Sequence, residues 1–162
     1  MNYDNSQVRR QDRLLDEQRA WELLRESEYG VLSMISEEGT PYGIPVNYVW
    51  GGQDAIYIHC APEGRKLRAL EVHPKVSLSV VGRVNLLPSR FTTEYESIVV
   101  EGKAHLHLPE DERRQALRLL LEKLSPDDLT VGLKYAEKSF HRTEVIRIDI
   151  IKMSGKSKRV LA

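Results

Sequence analysis

The chain has 162 residues, of which 41% are hydrophobic and 30% are charged, a composition typical of a soluble globular domain rather than of a disordered chain. Lysine plus arginine and aspartate plus glutamate both number 24, so the formal net charge is zero. Without a basic excess, binding of nucleic acid through its phosphates is not expected. The single cysteine, Cys60, excludes an internal disulfide and any metal site built from several cysteines.

The sequence predicts a cytoplasmic protein that does not contact a membrane. No apolar run approaches the roughly 20 residues of a membrane span, and the first residues, which include Arg9, Arg10 and Arg13, lack the apolar core of a signal peptide. Residues 1–13 are polar, and we expect them to form an N-terminal arm that is disordered or packs on a neighbouring chain. Residues 1–162 as a whole are predicted to form a single domain.

The first half of the chain reads as one helix followed by strands and tight turns. The helical spacing of Ala20, Leu23 and Leu24 predicts a helix over 16–27. Strands follow over 30–36, 42–50 and 55–60, with hairpin turns at 37–40 and 51–54. Because Pro45 cannot donate a backbone hydrogen bond, its strand is expected to be bulged or to lie at a sheet edge there. A short helix then ends before Pro74.

The second half contains the longest strand patterns. Alternation predicts a strand over 76–82, a loop over 83–90, and a pair of strands over 91–101 and 103–108 across a bend at Gly102. A helix begins at Pro109 and ends at Ser125, a shorter one lies near 131–137, and a last strand over 144–153 leads into a basic tail over 154–159. This order predicts a mainly β fold, an antiparallel barrel with peripheral helices. No βαβ alternation or Gly-x-Gly-x-x-Gly turn supports a Rossmann fold.

Residues 57–67 run from a strand through a polar turn into a helix that carries Arg65 and Lys66 in its first turn. The free backbone N–H groups of a helix start and two adjacent cations can converge on one phosphate. Cations are unfavourable at a helix start unless an anion offsets them. The alternative is that Gly64 is only a turn residue and both cations are solvated.

Several segments, in this order and spacing, resemble a known family. They are 9–13, 29–32, 39–48, 56–61, 64–67, 73–76, 95–104 and 143–148, and together they cover most of the chain. They are similar to the flavin-binding split barrels related to pyridoxamine 5′-phosphate oxidase, and within them to the nitroimidazole-resistance (Nim-like) group. The resemblance implies an antiparallel split β-barrel that binds FMN in a groove between the two subunits of a homodimer.

The same resemblance implies a set of cofactor-binding residues. Residues 43–48 would lie along the isoalloxazine ring and the ribityl chain, with Pro45, Val46, Asn47 and Tyr48 as the cofactor-binding residues. His59 and Cys60 would flank the flavin. Arg65 and Lys66 would bind its phosphate, and Ser97 would reach it from a later strand.

The implied activity follows from one match and two departures. His59 matches a histidine near the flavin in the Nim-like group, which implies an oxidoreductase that reduces a small molecule such as a nitroaromatic, with His59 as the catalytic residue. Gly43 stands near the position of an expected arginine and no tryptophan follows Trp50, so oxidation of pyridoxamine phosphate is not expected. The alternative is a non-catalytic protein that binds or stores flavin or haem.

Individual residues leave further alternatives open. His59 either delivers a proton or simply bonds the cofactor, and Cys60 is either a packing residue or redox-active. Glu101, His105 and His107 alternate along one predicted strand and would share a face, yet they lack a further ligand at fixed spacing. We therefore predict no metal site.

Overall fold

The structure is a computed structural model that describes residues 2–160. Over this range the chain forms seven strands, β1 (Tyr29–Ile35), β2 (Pro41–Asn47), β3 (Val49–Trp50), β4 (Ala55–Cys60), β5 (Lys75–Leu87), β6 (Thr92–His105) and β7 (Glu144–Lys158). It also forms four α-helices, α1 (Glu17–Glu26), α2 (Arg65–Val72), α3 (Glu110–Leu124) and α4 (Leu129–Ser139). The predicted mainly β fold with peripheral helices is confirmed.

All seven strands belong to one antiparallel sheet, in the order β2-β1-β5-β6-β7-β4-β3. The two edge strands, β2 and β3, are separated along the chain by Tyr48 alone. Consecutive Cα atoms are only about 3.8 Å apart, so the sheet has to curve until its two edges approach each other. The described strands do not pair across that gap, and the result is a split barrel.

Alternating side chains of the long strands fill the barrel. Fully buried residues point inward from the central and closing strands, namely Leu32, Ile56, Ile58, Leu78, Val80, Ile98, Val100, Ile146 and Ile148. Helix α1 closes one side with Ala20, Leu23 and Leu24, as its helical spacing predicted. A second apolar cluster, which includes Val49, Leu117 and Val145, lies under α3. Burial of these chains is the main source of stability.

Local sequence signals set the ends of the helices. The Asp16 side chain accepts a hydrogen bond of 3.1 Å from the Arg19 backbone N–H and so caps α1. Helix α3 follows Pro109 and carries Glu110, Asp111 and Glu112 in its first turn, where the helix dipole favours acids. The shorter helix predicted near 131–137 is present and extends over Leu129–Ser139.

The predicted strand over 42–50 is wrong in one respect, because the chain divides it at Tyr48. Residues before Tyr48 pair with β1, and Val49 and Trp50 pair with Tyr57 and Ile56 of β4 at the opposite edge of the sheet. Pro45 does lie on an edge strand, opposite Val31, and the β1–β2 register runs through it without a bulge. Composition alone does not reveal a change of pairing partner.

Two predicted irregular segments, the loop over 83–90 and the basic tail over 154–159, are strand for most of their length. β5 continues to Leu87 and β7 to Lys158 because both pair with β6 along its first half. The predicted pair of strands around Gly102 is one strand, β6, and a register shift against β7 marks the expected bend. A Cβ on Gly102 would lie 2.6 Å from the Asp149 carbonyl oxygen, so this close approach requires glycine.

The N-terminal arm packs on its own chain. Asp4 donates from its backbone to the Met153 carbonyl at 2.9 Å, and Met153 donates back to Asn2 at 2.8 Å. The Tyr3 hydroxyl donates to the Leu15 carbonyl at 2.5 Å. Residues 2–13 therefore form an ordered arm on their own chain rather than a disordered one. Packing on a neighbouring chain stays a prediction, and Met1 lies outside the described residues. No helix within 2–160 is long and apolar enough to cross a membrane.

Candidate functional site

The gap of the barrel has a free backbone edge on each side. β2 pairs with β1 on one side only. β4 pairs with β7 over its whole length, while β3 covers only Ile56 and Tyr57 on the other side. Within the described strands, residues 58–60 of β4 and all of β2 therefore keep unpaired edges. We call the gap between them the β2–β4 groove; extended backbone edges of this kind can hydrogen-bond a ligand.

Helix α2 begins directly after β4 and the polar turn 61–64. Its N-cap is Gly64, at φ +156, which offers no side chain to cap the helix, and the first turn contains no acid. The first N–H groups of α2 are thus left for another acceptor. Among the residues that the structure describes, Arg65 and Lys66 in this turn have no ion-pair partner, whereas Arg68 one turn later pairs with Glu37 at 3.2 Å and with Glu63. This end of α2 suits an anion.

Arg65 links the start of α2 to β2. Its guanidinium carbon lies 4.0 Å from the centre of the Tyr42 ring, close enough for a cation–π interaction. Tyr42 stands at the start of the edge strand, opposite Met34 of β1. This contact holds a positive charge beside the β2 side of the groove.

Lys66 lies on the opposite side, near the end of β4. Although part of the His59 side chain is exposed, the ring loses some hydration beside neighbouring groups, which lowers its pKa, and the positive charge of Lys66 lowers it further. Burial raises the pKa of the Cys60 thiol, and Lys66 partly offsets that rise. His59 is therefore mostly neutral near pH 7, and Cys60 is mostly a thiol. The latter property is that of a packing residue rather than of a reactive thiolate.

The four predicted residues on and after β2 divide between the two faces of the sheet. Val46 and Tyr48 are buried in the core, and the Tyr48 hydroxyl donates to the Leu24 carbonyl at 2.7 Å. Pro45 and Asn47 are exposed, and Asn47 Nδ2 donates to the Glu28 carbonyl at 2.9 Å. The side chains of Val46 and Tyr48 are therefore committed to the core, and only their backbone can face the groove.

Ser97 lies away from the other predicted residues. It pairs with Val81 of β5 and Lys156 of β7 near the middle of the sheet. Strand β7 separates it from β4, and strands β5 and β1 separate it from β2. The fold of one chain brings His59, Cys60, Arg65 and Lys66 together with the edge of β2, and it leaves Ser97 outside that group.

Two clefts elsewhere on the surface are lined by other residues. A cleft of about 450 Å³ lies between the N-terminal arm and the paired ends of β6 and β7, and Arg19, Glu96 and Lys158 are among its lining. A shallower one of about 430 Å³ lies on the outer surface of β2, β1 and β5, with Tyr42, Gly43 and Ser77 among its lining. None of the nine predicted cofactor residues lines either cleft.

The considered metal cluster does not assemble. β6 ends at His105, and His107 follows at a positive φ of 56° with its side chain bonded to Glu71 of α2. His105 pairs instead with Asp149 at 2.8 Å. The expectation that Glu101, His105 and His107 share a face is wrong for His107. Residues 2–160 contain no group of three or more His, Cys, Asp or Glu placed to hold a metal ion.

Two residues at the groove were missed by sequence reasoning. Tyr42 lies within a segment that carries the family resemblance, and its aromatic ring on an edge strand near a predicted cation is a usable signal. Lys123 of α3 donates to the Tyr48 carbonyl at 3.0 Å. A lysine in the last turn of a helix is common, so nothing in the sequence distinguishes Lys123 from a solvated surface lysine.

Comparison with known proteins gives one family and many similar folds. Residues 16–157 match the model of a protein family described as pyridoxamine 5′-phosphate oxidase. The sequence has no significant match among curated proteins.

Three solved structures illustrate the similarity. A candidate 5-nitroimidazole antibiotic resistance protein from Bacteroides thetaiotaomicron is 22% identical with a TM-score of 0.76, over 90% of this chain and 86% of that one. An FAD and haem binding protein from Mycobacterium smegmatis is 20% identical with a TM-score of 0.73, over 90% and 72%. The haem storage protein HutZ from Vibrio cholerae is 18% identical with a TM-score of 0.62, over 83% and 89%. At these identities the likeness establishes the fold.

Proposed function

Since the chain belongs to the pyridoxamine 5′-phosphate oxidase family, we propose that it is a flavoprotein that binds FMN in the β2–β4 groove. The start of α2 carries the phosphate site in this proposal. Arg65 on the β2 side and Lys66 on the β4 side would hold the phosphate between them. Charge-assisted hydrogen bonds to phosphate are among the stronger polar interactions in proteins.

The observation that carries the proposal is the pair of unpaired cations on an uncapped helix start. Among the described residues no carboxylate lies within ion-pair distance of Arg65 or Lys66, although Arg65 acts on Glu38 at longer range, and the first turn of α2 has no acid to balance them. Two such cations repel each other and the helix dipole. A bound phosphate dianion would offset both repulsions, and it would accept hydrogen bonds from the free N–H groups of the helix start at the same time.

The remaining residues would orient the ring system. The unpaired edge of β2 offers backbone groups along the groove, and His59 lies at the end of β4 on the other side. A bound flavin supplies the electron-transfer chemistry itself. The protein then needs to position it, to hold a substrate and to manage protons. Neutral His59 can accept or donate one hydrogen bond to a substrate held beside the ring.

We further propose that the protein reduces a small nitroaromatic compound. Support comes from exposed His59 at the groove and from the similar fold of the candidate nitroimidazole resistance protein from Bacteroides thetaiotaomicron. With a lowered pKa, His59 is a poor proton donor at neutral pH. Its proposed role is therefore to bond and orient the nitro group, with the proton arriving from solvent.

A homodimer would complete the site. The outer surface of the sheet carries exposed apolar side chains along β5, with Val81 63%, Val84 54% and Leu86 68% exposed, and Ser97 lies beside Val81 on the same surface. Apolar surface of this extent favours association with a second copy. In a two-fold arrangement, Ser97 of one subunit would reach the groove of the other, which it cannot do within its own chain.

Haem is the second candidate ligand. An exposed histidine that stays neutral near pH 7 is suited to coordinate haem iron. The folds of the haem-binding protein from Mycobacterium smegmatis and of HutZ are similar to this one. In this reading the protein stores or senses its ligand.

The first experiment identifies the ligand. Purified protein is examined by absorption spectroscopy and by mass spectrometry of the released small molecule. A yellow protein that releases FMN supports the proposal, and a strong Soret band supports haem. Titration with FMN, followed by quenching of flavin fluorescence, then compares the parent with Arg65→Ala/Lys66→Ala and with the control Arg68→Ala.

We expect the double variant to lose most of its FMN affinity and the control to keep it, because Arg68 is already paired with Glu37 and Glu63. Unchanged affinity in the double variant rejects the phosphate site. Turnover is tested by anaerobic reduction with NAD(P)H followed by addition of a nitroimidazole. Reoxidation that is slower in His59→Phe supports the enzyme, and tight flavin binding with no reoxidation supports the storage protein.

A further inference from the structure

Lys123, in the last turn of α3, contacts two distant parts of the chain. Its Nζ donates to the Ser27 carbonyl at 2.6 Å and to the Tyr48 carbonyl at 3.0 Å. The same Nζ lies 4.0 Å from the centre of the Tyr48 ring. One ammonium group therefore joins the C-terminal ends of α1 and α3 to the single residue between β2 and β3.

The junction between β2 and β3 is held by two further side-chain bonds to the end of α1. The Tyr48 hydroxyl donates to the Leu24 carbonyl at 2.7 Å, and Asn47 Nδ2 donates to the Glu28 carbonyl at 2.9 Å. The last carbonyls of a helix have no partner within the helix. Here the side chains of Asn47, Tyr48 and Lys123 donate to carbonyls at or just beyond the end of α1. Together these bonds hold residues 47–48 against that end of the helix.

Tyr48 connects the two strands at the edges of the barrel gap. β2 and β3 leave it toward opposite edges of the sheet, and β3 then pairs with β4. A displacement of Tyr48 therefore moves the edge of β2 relative to the edge of β4. These are the two edges that border the groove, so a contact that fixes Tyr48 also fixes the groove.

The contact of Lys123 is not an ordinary surface interaction. No carboxylate pairs with Lys123 among the described residues; Glu28 acts on it only at longer range. Its charge is instead stabilised by two carbonyl oxygens, by the face of an aromatic ring and by the negative ends of two helices. A partly buried ammonium without an acid partner costs hydration, which suggests a role beyond solubility.

We propose that Lys123 is a positioning residue for the ligand groove, which holds Tyr48 so that the free edge of β2 keeps the spacing from β4 that the flavin requires. The inference rests on the proposed FMN site. It does not place Lys123 in contact with the ligand. It predicts that loss of the ammonium disturbs the groove more than an equal loss of stability elsewhere in α3.

The test compares Lys123→Met with Leu120→Ala, a variant of a buried α3 residue that belongs to the second apolar cluster, whereas Tyr48 belongs to the main core. Lys134→Met on the exposed surface of α4 controls for the loss of a charge. For each folded variant, FMN affinity is measured by fluorescence titration, thermal stability by circular dichroism, and amide exchange over residues 41–48 in the ligand-free protein.

We expect Lys123→Met to raise the Kd for FMN by about tenfold or more and to speed exchange over 41–48. Leu120→Ala should lower the melting temperature at least as much while it changes the Kd by less than about threefold. Lys123→Arg, which keeps the charge and the donors, should recover part of the affinity. Lys134→Met should behave as the parent.

Two results overturn the inference. One is a Kd in Lys123→Met equal to that of the parent, with unchanged exchange over 41–48. The other is an equal effect of Lys123→Met and Leu120→Ala, which reduces Lys123 to a stabilising residue. The phosphate variant separates the two proposals: if Arg65→Ala/Lys66→Ala still binds FMN normally the site itself is wrong, whereas if it loses FMN and Lys123→Met does not, only the positioning role fails.

Discussion

The guanidinium carbon of Arg65 lies 4.0 Å from the centre of the Tyr42 ring. This contact joins the first turn of α2 to the edge strand β2 across the gap of the barrel. A cation–π contact does not use the N–H donors of a guanidinium in hydrogen bonds, so they can still bind an anion. A cation held in this way is in place before any anion binds, which lowers the entropic cost of binding.

Removal of the ring should weaken FMN binding. A cation–π contact at an exposed site contributes about 0.5–1 kcal/mol, so Tyr42→Leu is expected to raise the Kd for FMN by about two- to fivefold. Tyr42→Phe keeps the aromatic face and should bind as the parent does. The measurement is a fluorescence titration of the three proteins side by side. Equal weakening by both substitutions would assign the effect to the hydroxyl instead.

A charge on the outer surface of the sheet should break the proposed dimer. Val81→Asp places a carboxylate where a second copy would bury an apolar side chain, and burial of an unpaired charge is costly. We expect a monomer in sedimentation velocity and a lower FMN content, because Ser97 of the partner would be lost. Val131→Asp, at an exposed site on α4, is the matched control and should stay dimeric. A parent protein that is already monomeric and binds FMN tightly contradicts the arrangement.

The bond between Arg19 and Glu96 should be important for stability. Arg19 donates to the Glu96 carboxylate from Nε at 3.2 Å and from Nη2 at 2.7 Å, which lowers the pKa of Glu96. Arg19→Met leaves this buried carboxylate with only the Arg83 backbone N–H as a donor, and it should lower the free energy of unfolding by about 2–3 kcal/mol. Urea unfolding near neutral pH measures the change.

The pH dependence of that variant provides an internal check. Because the pKa of Glu96 is depressed in the folded protein, its stabilising contribution is present above the unfolded pKa and is lost as the pH falls through the folded pKa. The difference between parent and Arg19→Met should therefore shrink in acid. A difference that stays constant down to acid pH would locate the cost in packing rather than in the ion pair.

Stability in alkali should depend on Lys123. Burial lowers the pKa of Lys123 from 10.5 to about 8, so between these values the unfolded chain binds more protons and the free energy of unfolding gains a contribution that rises with pH. Lys123→Met lacks this contribution. Between about pH 8 and about pH 10, the free energy of unfolding measured with urea should therefore rise less, or fall more, in the variant than in the parent.

Other groups titrate in the same range, so the comparison needs a control. Burial raises the pKa of the Tyr48 hydroxyl and of the Cys60 thiol, and both shifts reduce stability as the pH rises. The contribution of Cys60 is present in parent and variant alike and cancels in the difference. Tyr48 contacts Lys123, but its contribution begins only above the ordinary tyrosine pKa of 10, where the comparison ends. Lys134→Met should keep the parental pH dependence. If the stability of Lys134→Met changes with pH as that of Lys123→Met does, the altered pH dependence comes from the loss of one positive charge and not from the position of Lys123.

Local chemistry in the sequence was sufficient for much of the fold. The apolar spacing in 16–27 predicted α1 and its buried residues, and the acids after Pro109 predicted the start of α3. Gly39, in the predicted hairpin turn over 37–40, adopts a positive φ of 82°. The turn into α2 and its two cations were also identified from residues 57–67 alone. Each of these features depends on neighbours within a few positions, which is why the sequence reveals them.

Pairing across the sheet was decided by the tertiary structure. Nothing local distinguishes Tyr48 from a mid-strand residue, yet the chain changes partner there, because the core takes up its ring and the end of α1 accepts its hydroxyl. The basic tail became the end of β7 because β6 offers it a partner. Likewise, the amino-acid order determined that Arg65 and Lys66 begin a helix, whereas only the closing of the barrel placed Tyr42 and Lys123 around the same groove, since residues far apart in sequence meet only once the sheet has curved.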